Sequence, residues 1–374
     1  MEKKIHIVSF DVPYPPNYGG VMDVYNRIKA LHKNGYKIHL HSFEYGRGRQ
    51  EALNTVCSKL DYYKRSSKLT KSLSKTPMIV SSRKNKTLLE NLLKDNAPIL
   101  FEGQHCTAFL GHQALKNRTK LVRIHNVEHH YYKFLAESEP HFLKKQYYLR
   151  EAKKLKTHEV VLKHANHLLC ISKPDVEYYA KKFKTTLLLP AAINIEKQDY
   201  IGEKENFCLF HGNLSVSENT KAVNWILNEV LPFLNTPLVI AGKNPNRKLV
   251  TKIAKLDGVR LVSNPDKTTL DKLLNTTKSH LLITFQNTGI KLKLLNALCT
   301  SGKVVANSKM LSGTGLESLC DLEEEPKNIA EVINETSLTP ISENLFRERI
   351  GIIEAIHGSL NQVKIIKPLL ENND

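Results

Sequence analysis

Short apolar runs alternate with helical patterns along this chain, and the alternation occurs twice. The first series has strand-like runs at residues 5–10, 37–43, 98–101, 120–124 and 167–171. After a polar, glycine-containing segment the alternation begins again, with strand-like runs at residues 206–211, 238–241, 259–262, 280–284 and 303–306. Because strands that alternate with helices form parallel sheets covered by helices, the sequence predicts an α/β protein with two Rossmann-like, doubly wound sheets.

The length supports two domains. A chain of 374 residues is too long for one ordinary domain and suits two. We predict an N-terminal domain over residues 1–193, a linker over 194–205 and a C-terminal domain over 206–355. The helical pattern near the end predicts a helix over 356–374 that crosses back to pack on the first domain. Two such sheets joined by a linker are expected to face a cleft.

The charge is strongly positive. Lysine and arginine number 55 against 37 aspartates and glutamates, which leaves +18 at pH 7. Such a field attracts polyanions, and two interpretations stay open: a solvated basic surface, and peripheral contact with an anionic membrane. Nucleic acid is not an expected partner, because no RNA-binding motif or continuous basic tail is present.

The cysteines and the N-terminal segment indicate the compartment. The six cysteines are widely spaced and include no Cys-x-x-Cys pair, which predicts reduced thiols. The apolar run at residues 5–10 is too short for a signal peptide or a membrane span. We therefore expect a cytoplasmic protein that at most docks peripherally on the inner face of the membrane.

The loops that follow strands are the candidate sites, because open parallel sheets bind ligands beyond the carboxyl ends of their strands. The first loop is braced by prolines and ends in Gly19 and Gly20 at the start of a helix. Paired glycines let backbone amides approach a ligand, and a plain rigid turn is the simpler alternative. The acceptor-side candidates in this loop are Asp11, Tyr14 and Asn17.

Acidic and histidine side chains follow the next two strands. Glu102 and His105 come after one strand and are further acceptor-side candidates, and His125 follows the next. The spacing of His125 and His129 would place both on one helical face, as in some zinc sites. The order of residues between them is not the His-Glu-x-x-His signature, so we expect no metal here. His125 is instead expected to hydrogen-bond a substrate hydroxyl and is the candidate catalytic residue.

The second series offers a turn and a helix start as donor-binding candidates. The turn after its first strand contains Gly212, Asn213 and Ser215. The richest segment joins a strand to an amphipathic helix through Thr288, Gly289, Ile290 and Lys291. Free amides at a helix start favour binding of a pyrophosphate. A lysine at the same end destabilises an isolated helix by roughly a few tenths of a kcal/mol, so an anionic ligand would explain the presence of Lys291 there.

Together these segments resemble GT-B glycosyltransferases of the retaining family 4 type, in particular bacterial mannosyltransferase-like and polysaccharide-biosynthesis members. Besides the loop to Gly19 and Gly20, the matching segments are Phe-Glu-Gly-x-His at 101–105, His-Asn-Val-Glu-His at 125–129, His-Gly-Asn-Leu-Ser at 211–215 and Thr-Gly-Ile-Lys-Leu-Lys-Leu-Leu-Asn-Ala at 288–297. The resemblance covers nearly the whole chain. It implies that Gly19 and Gly20 approach the donor phosphates, that His125 contacts the donor sugar and that the Gly289 helix binds phosphate and nucleotide.

The chain also departs from the family pattern. Asn213, Ser215 and Lys221 stand where the family often has arginine and lysine for the diphosphate. Thr288 and Asn296 take the places of two glutamates that contact the donor sugar and the ribose. Threonine and asparagine hydrogen-bond but carry no charge. The departure implies an altered donor preference, a subgroup variation or weakened activity.

The resemblance implies an enzyme that transfers a hexose, of mannose or glucose type, from a UDP- or GDP-linked sugar to a glycan or lipid-linked acceptor with retention. Helix amides and cations stabilise the leaving diphosphate in such enzymes, so neither a metal nor another cofactor is expected. The alternative is a catalytically degenerate protein that binds a nucleotide sugar or an anionic surface. A nucleotide-sugar epimerase or dehydrogenase is disfavoured, because no Gly-x-Gly-x-x-Gly follows the first strand.

Overall fold

The computed structural model describes residues 3–66, 74–139, 141–193, 199–286, 291–336, 338 and 341–371. The chain divides into two compact units, one built mainly from the N-terminal half together with the last helix, and one from the residues between them. Each unit contains a wholly parallel sheet with flanking helices, which confirms the predicted fold class. No helix in the described ranges is long and apolar enough to cross a membrane.

The first unit has a seven-stranded sheet. Its strands are β1 (Lys4–Ser9), β2 (Lys37–Glu44), β3 (Lys59–Lys64), β4 (Ile99–Glu102), β5 (Lys120–Ile124), β6 (His167–Cys170) and β7 (Thr186–Leu188). Its helices are α1 (Gly19–Lys33), α2 (Met78–Ser81), α3 (Lys86–Leu92), α4 (Glu128–Ser138), α5 (Phe142–His158) and α6 (Lys173–Ala180). The strand order is β3-β2-β1-β4-β5-β6-β7, and every pair is parallel.

The second unit has a six-stranded sheet. Its strands are β8 (Glu205–Asn213), β9 (Leu238–Lys243), β10 (Val259–Ser263), β11 (Thr277–Leu282), β12 (Lys303–Ala306) and β13 (Asp321–Leu322). Its helices are α7 (Ser217–Trp225), α8 (Arg247–Ile253), α9 (Lys267–Thr276), α10 (Leu292–Leu298), α11 (Ser308–Leu311), α12 (Pro326–Glu335) and α13 (Glu343–His357). The order β10-β9-β8-β11-β12-β13 repeats that of the first six strands of the other sheet.

The last helix, α14 (Ser359–Glu371), belongs to the first unit. Its Ile366 and Leu370 lie in the same hydrophobic core as Ile28 and Leu31 of α1. Burial of these apolar side chains holds the end of the chain against the first sheet, as the sequence predicted for its C-terminal helix.

Three strands were not predicted, and all three lie at sheet edges. β3 and β7 are the two edges of the first sheet, and β13 is an edge of the second. β3 begins and ends in lysine, β7 has 3 residues and β13 has 2. Edge strands are commonly short or charged, because these features prevent pairing with other chains. A short or charged strand also lacks the longer apolar run by which strands were predicted from the sequence.

Candidate functional site

In each sheet the strand order reverses once. The reversal lies between β1 and β4 in the first sheet and between β8 and β11 in the second. Open parallel sheets bind ligands beyond the carboxyl ends of their strands at such a switch point. The predicted residues of the first unit lie at the end of β4 or in the segments after β1, β4 and β5, and those of the second lie at the end of β8 or in the segments after β8 and β11. The topology therefore places the described residues among them at the carboxyl ends of strands at or beside the switch point of their own sheet.

Asp11 organises the loop after β1. Its carboxylate accepts hydrogen bonds from the Val12 amide at 2.8 Å and the Tyr18 hydroxyl at 2.7 Å. Burial, together with this carboxylate, raises the pKa of Tyr18, so the hydroxyl stays protonated as the donor. Asn17 is exposed and accepts a hydrogen bond from Arg47 Nη1 at 2.7 Å. Both predicted acceptor-side residues thus have partners within the first unit, and their contact with an acceptor stays a prediction.

The other predicted residues of this loop pack against aromatic rings. The ring of Tyr14 lies 5.4 Å from that of Tyr25. Gly19 and Gly20 begin α1, and a Cβ on Gly20 would approach Phe10 Cζ to 2.7 Å. Packing against Phe10 therefore requires glycine at this position before any ligand is considered.

Two imidazoles lie on either side of Gly103, beyond β4 and β5. Gly103 has a φ of 82°, and a Cβ there would lie 2.9 Å from His105 Nδ1 and 3.5 Å from His125 Cδ2. Phe10 packs against both rings, with centroid distances of 5.3 and 5.5 Å. His105 Nδ1 is buried and has no hydrogen-bond partner among the described residues, whereas the buried His125 Nε2 lies 3.4 Å from Glu102 Oε2. Since buried polar atoms are nearly always bonded, His105 Nδ1 is a candidate partner for the hydroxyl of a ligand, and contact of either imidazole with a ligand stays a prediction.

Four fully buried charged side chains adjoin His125. Arg27 Nε donates to Glu102 Oε1 at 2.8 Å, Arg123 Nε donates to Asp23 Oδ2 at 2.9 Å, and Arg27 also donates to Asp23. Burial alone would raise the pKa of Asp23, but Arg123 and Arg27 hold it well below its ordinary value. Burial opposes ionisation of Glu102 too, and Arg27 and His125 outweigh it, so its pKa is also lowered. Two carboxylates and two guanidinium groups therefore balance one another in the interior.

The same charges anchor the end of the chain. Arg27 Nη1 donates to Gln362 Oε1 on α14 at 2.7 Å, and Gln362 Nε2 donates to the Pro190 carbonyl at 2.6 Å. Asp23 Oδ1 accepts from the Ala192 amide at 2.8 Å. The sequence analysis selected Glu102 and His125 but missed these supporting residues.

The histidines of the segment at 125–129 do not converge. His129 Nδ1 lies 2.8 Å from Glu159 Oε1, in a pair of its own. A second group of possible metal ligands lies nearby, in which each residue offers one atom within 4.8 Å of those of the others: Asp23, Glu102 and His125. This spacing would suit a cation. The two carboxylates, however, already pair with the two buried arginines, whose positive charges take the place that a cation would fill.

The turn after β8 brings its three predicted residues together. Asn213 Oδ1 accepts from the Ser215 amide at 3.0 Å and its hydroxyl at 2.8 Å. The Asn213 carbonyl accepts from Asn219 Nδ2 at 2.9 Å. A Cβ on Gly212 would lie 3.1 Å from the same nitrogen. The turn is therefore fixed by side chain to backbone hydrogen bonds, with glycine where Asn219 approaches.

Lys293 is a residue that the sequence analysis missed. Its Nζ lies 3.2 Å from Asn219 Oδ1, 3.4 Å from the Ile283 carbonyl and 4.9 Å from the centre of the Phe210 ring. Burial lowers the pKa of Lys293 to about 8, against the opposing charge of Glu218. The signal was the second lysine of the segment Lys-Leu-Lys, in the first turn of α10.

Glu218 ties α7 to the end of β11. Its Oε1 accepts from the Phe285 amide at 3.0 Å and from the Thr284 hydroxyl. Its Oε2 is buried without a hydrogen-bond partner in the part of the chain that the structure describes. Lys221 Nζ lies 4.9 Å from the centre of the Phe285 ring. This acidic residue was not selected from sequence, because its partners are far along the chain.

The remaining predicted residues lie at or near α10. Lys291 directly precedes the helix and is half-buried, and Asn296 is exposed on it. Thr288, Gly289 and Ile290 lie outside the described residues. Their roles, and that of the helix start, stay predictions.

Comparison with known proteins places the fold. No family model matches the sequence. The chain is 29% identical over 333 residues to an "uncharacterized 44.6 kDa protein in cps region" of Klebsiella pneumoniae, across 83% of this chain and 84% of that protein. Anabaena HepE in complex with UDP and glucose matches with a TM-score of 0.63 and 12% identity, over 98% of this chain and 99% of HepE.

Two further solved structures match the fold of this chain over nearly its whole length. A mutant of S. aureus TarM in complex with fondaparinux, alpha-GlcNAc-glycerol and UDP matches with a TM-score of 0.66 and 14% identity, over 99% of this chain and 100% of TarM. A glycosyltransferase from Rickettsia africae matches with a TM-score of 0.64 and 12% identity, over 99% of each chain. The chain therefore has the two-sheet GT-B fold that these glycosyltransferases share.

Proposed function

We propose that the chain is a glycosyltransferase that uses a nucleotide-diphosphate sugar. The observation that carries the proposal is the half-buried cation of Lys293, held beside Asn219, which adjoins Gly212, at the switch point of the second sheet of a GT-B fold. HepE and TarM, which share the fold, were each solved with UDP. A diphosphate is the ligand that a lysine and an adjoining glycine turn would bind best.

The second unit is proposed to bind the diphosphate. Transfer breaks the bond from the anomeric carbon to the phosphate oxygen, so negative charge develops on the leaving nucleotide. Lys293 and Lys291 would stabilise that charge, and backbone amides near Gly212 would add hydrogen bonds. Because the pKa of Lys293 is near 8 without an anion, binding a diphosphate would raise it and keep the lysine protonated.

The first unit is proposed to orient the sugar. The unpartnered Nδ1 of His105, together with the imidazole of His125, would bond to sugar or acceptor hydroxyls. Glu102, fixed by Arg27 and 3.4 Å from His125 Nε2, acts as a positioning residue for that imidazole. His125 remains our candidate catalytic residue.

The finer assignments rest on the family resemblance. We propose transfer of a hexose, of mannose or glucose type, from a UDP- or GDP-sugar to a glycan or lipid-linked acceptor, with retention and without a metal. A phosphate oxygen of the leaving group would take the proton of the acceptor. In place of the two family glutamates, Thr288 and Asn296 would supply hydrogen bonds only.

A donor screen tests the proposal. UDP, GDP and their hexoses are added to the purified protein, and the thermal midpoint is measured, since a ligand that binds only the folded state raises it. Transfer is then measured against a panel of glycan and lipid-linked acceptors. Nucleotide binding without transfer to any acceptor would favour the alternative, a degenerate binding module. No binding of any nucleotide would refute both.

We further propose that α5 docks on an anionic membrane. Phe142 and Leu143 at its start are 70% and 83% exposed. Its exposed cations are Lys144, Lys145, Arg150, Lys153 and Lys156, whereas its carboxylate, Glu151, is buried. Apolar side chains beside a row of cations suit the headgroup region of anionic lipids.

Sedimentation with liposomes tests the membrane contact. The wild type should sediment with anionic vesicles and stay in solution with zwitterionic ones. Replacing Phe142 and Leu143 by serine should abolish sedimentation, whereas Leu345→Ser, at a 56% exposed position on α13, should not. Equal binding by all three proteins would refute the assignment to α5.

A further inference from the structure

Three histidines share one face of the first sheet, apart from the candidate site. His6 of β1 is the register partner of His39 of β2, and His41 follows two residues later on the same face. All three are buried, at 0%, 3% and 0% exposure. The intervening side chains, Ile5, Ile7, Ile38 and Leu40, lie in the core that contains α1 and α14. The strands thus alternate isoleucine or leucine on one face with histidine on the other.

The three rings converge. Their centroids are 4.8 Å apart for His6 and His39, 5.1 Å for His6 and His41, and 4.0 Å for His39 and His41. Each ring offers a nitrogen within 4.8 Å of those of the other two. His6 Nδ1 and His41 Nε2 face each other at 2.8 Å, so at most one of them carries a proton and the other presents a lone pair.

Each imidazole also has an oxygen atom within hydrogen-bond distance of one of its ring nitrogens. His6 Nε2 lies 2.7 Å from Asp95 Oδ1, and His39 Nε2 lies 2.6 Å from Asp61 Oδ2. His41 Nδ1 lies 2.8 Å from the Tyr63 hydroxyl. An ionised carboxylate only accepts, so Nε2 of His6 and of His39 carries the proton, and each Nδ1 holds the lone pair.

For His6 and His39 this arrangement is the one that metal-binding histidines have, and His41 would adopt it in the tautomer whose Nδ1–H donates to the Tyr63 hydroxyl. Such a histidine usually donates its second N–H to a carboxylate or another oxygen, which fixes the ring and raises its basicity. Zinc takes neutral imidazoles at about 2.0–2.1 Å, so the nitrogens of a tetrahedral site lie about 3.3 Å apart. The observed separations, from 2.8 Å to within 4.8 Å, bracket that value, so small ring rotations would suffice.

We propose that His6, His39 and His41 bind a late first-row divalent cation, zinc in the first place, as a structural site that joins β1 to β2. A water molecule would complete the tetrahedron. Nitrogen ligands select zinc, cobalt or nickel over magnesium and calcium. The carboxylates of Asp61 and Asp95 would balance the charge of the ion.

The competing interpretation is a hydrogen-bonded relay without metal. Asn91 Nδ2 donates to the Tyr63 hydroxyl at 2.9 Å, and the chain continues through His41 and His6 to Asp95. Asp95 also pairs with Lys4, and Arg118 lies 3.5 Å from it. Lys59 Nζ lies 3.9 Å from Asp61. These cations already balance the carboxylates, so only a measurement of metal binding separates the two.

Titration of the whole, chelator-treated protein with Co²⁺ is the test. We expect one equivalent to bind with the visible absorption of a tetrahedral cobalt site, zinc to displace it, and each ion to raise the thermal midpoint. Asp61→Asn keeps the three histidines and should weaken Co²⁺ binding by about 10- to 100-fold, as loss of such a partner usually does. His39→Gln should abolish the absorption.

His32→Gln, at an exposed position on α1, is the control and should bind as the wild type does. Absence of a cobalt band and of a thermal shift in the wild type would overturn the proposal and leave the relay. Unchanged binding by Asp61→Asn and His39→Gln would overturn it as well. These readouts need no donor or acceptor, so they are independent of the proposed transfer activity.

Discussion

Replacing Arg27 by methionine should destabilise the first unit strongly, and more so at neutral than at acid pH. Methionine fills much of the same volume but removes the charge that Glu102 depends on. In the variant the Asp23 carboxylate still accepts hydrogen bonds from Arg123 Nε at 2.9 Å and from the Ala192 amide at 2.8 Å. The Glu102 carboxylate loses Arg27 and retains His125 Nε2 at 3.4 Å. Breaking a buried pair on one side costs about 3–5 kcal/mol, and we expect the free energy of unfolding to fall by that amount at pH 7.

The pH dependence follows from Glu102. In the wild type its folded pKa lies below the unfolded value, so its contribution to stability is present above about pH 4.3 and is lost as the pH falls through the folded pKa. Without Arg27, burial is no longer outweighed, and the folded pKa rises above the unfolded value. The variant then holds an unfavourable charge at pH 7 and loses that penalty as the pH falls toward about 4.3. The difference between the two proteins should therefore shrink between pH 7 and pH 5.

Urea unfolding followed by circular dichroism measures the free energy, and hydrogen exchange at β4 and β5 amides assigns the loss to the first unit. Adding Glu102→Gln to Arg27→Met removes the unpaired charge and should restore about 2 kcal/mol, since an unsatisfied amide costs less than a buried carboxylate. Arg347→Met, which breaks an exposed pair with Glu343 on α13, is the control and should change stability by less than about 1 kcal/mol. An equal loss at pH 7 and pH 5, or a double variant no more stable than the single one, would refute the reasoning.

Three further predictions concern the candidate site. Lys293→Met should weaken UDP or GDP binding about tenfold or more in calorimetry, because a charge-assisted hydrogen bond is lost, whereas Lys309→Met, at an exposed position on α11, should not. Wild-type affinity for UDP or GDP should also fall as the pH rises from about 7 to 9, since free Lys293 loses its proton near pH 8. The same fall of affinity with pH in Lys293→Met would contradict this. His125→Ala should lower kcat/KM for transfer by about ten- to a hundredfold with unchanged nucleotide affinity, and a parallel loss of nucleotide binding would argue against a role toward the sugar. Gly20→Ala should cost about 1–3 kcal/mol in urea unfolding, because its Cβ would meet Phe10, whereas Gly351→Ala, with nothing within 4 Å on α13, should be neutral or stabilising.

The fold was predictable because its signal is local and repeated. Apolar runs of about four residues separated by helical patterns occur where a strand is covered on both faces, as in β9, whose residues 238–241 are all apolar and buried. The prediction failed for β3, β7 and β13, where the sheet edge removes the requirement for such a run. Periodicity therefore indicates how many central strands a sheet has and says little about its edges.

The loops of the site were predictable from topology, but the charges that support them were not. A residue at or after the end of a parallel strand lies at the ligand-binding edge whatever its identity, and His105, His125, Gly212 and Asn213 were selected in that way, while their roles stay predictions. Lys293 was passed over in favour of Lys291, because sequence alone does not tell which of two neighbouring lysines approaches Asn219 and Phe210.

Arg27 shows the limit most clearly. On a helical projection Asp23 and Arg27 are four residues apart, which usually indicates an exposed pair worth a few tenths of a kcal/mol, roughly. Yet they lie beside the apolar stripe of Val24, Ile28 and Leu31, and the structure buries them completely. The burial is tolerated only because Glu102 and Gln362, 75 and 335 residues away along the chain, complete the hydrogen bonds of the guanidinium group. A buried charge is specified by partners that are close only after folding, so it is the fold that makes Arg27 a supporting residue of the candidate site, and no local pattern in α1 could have done so.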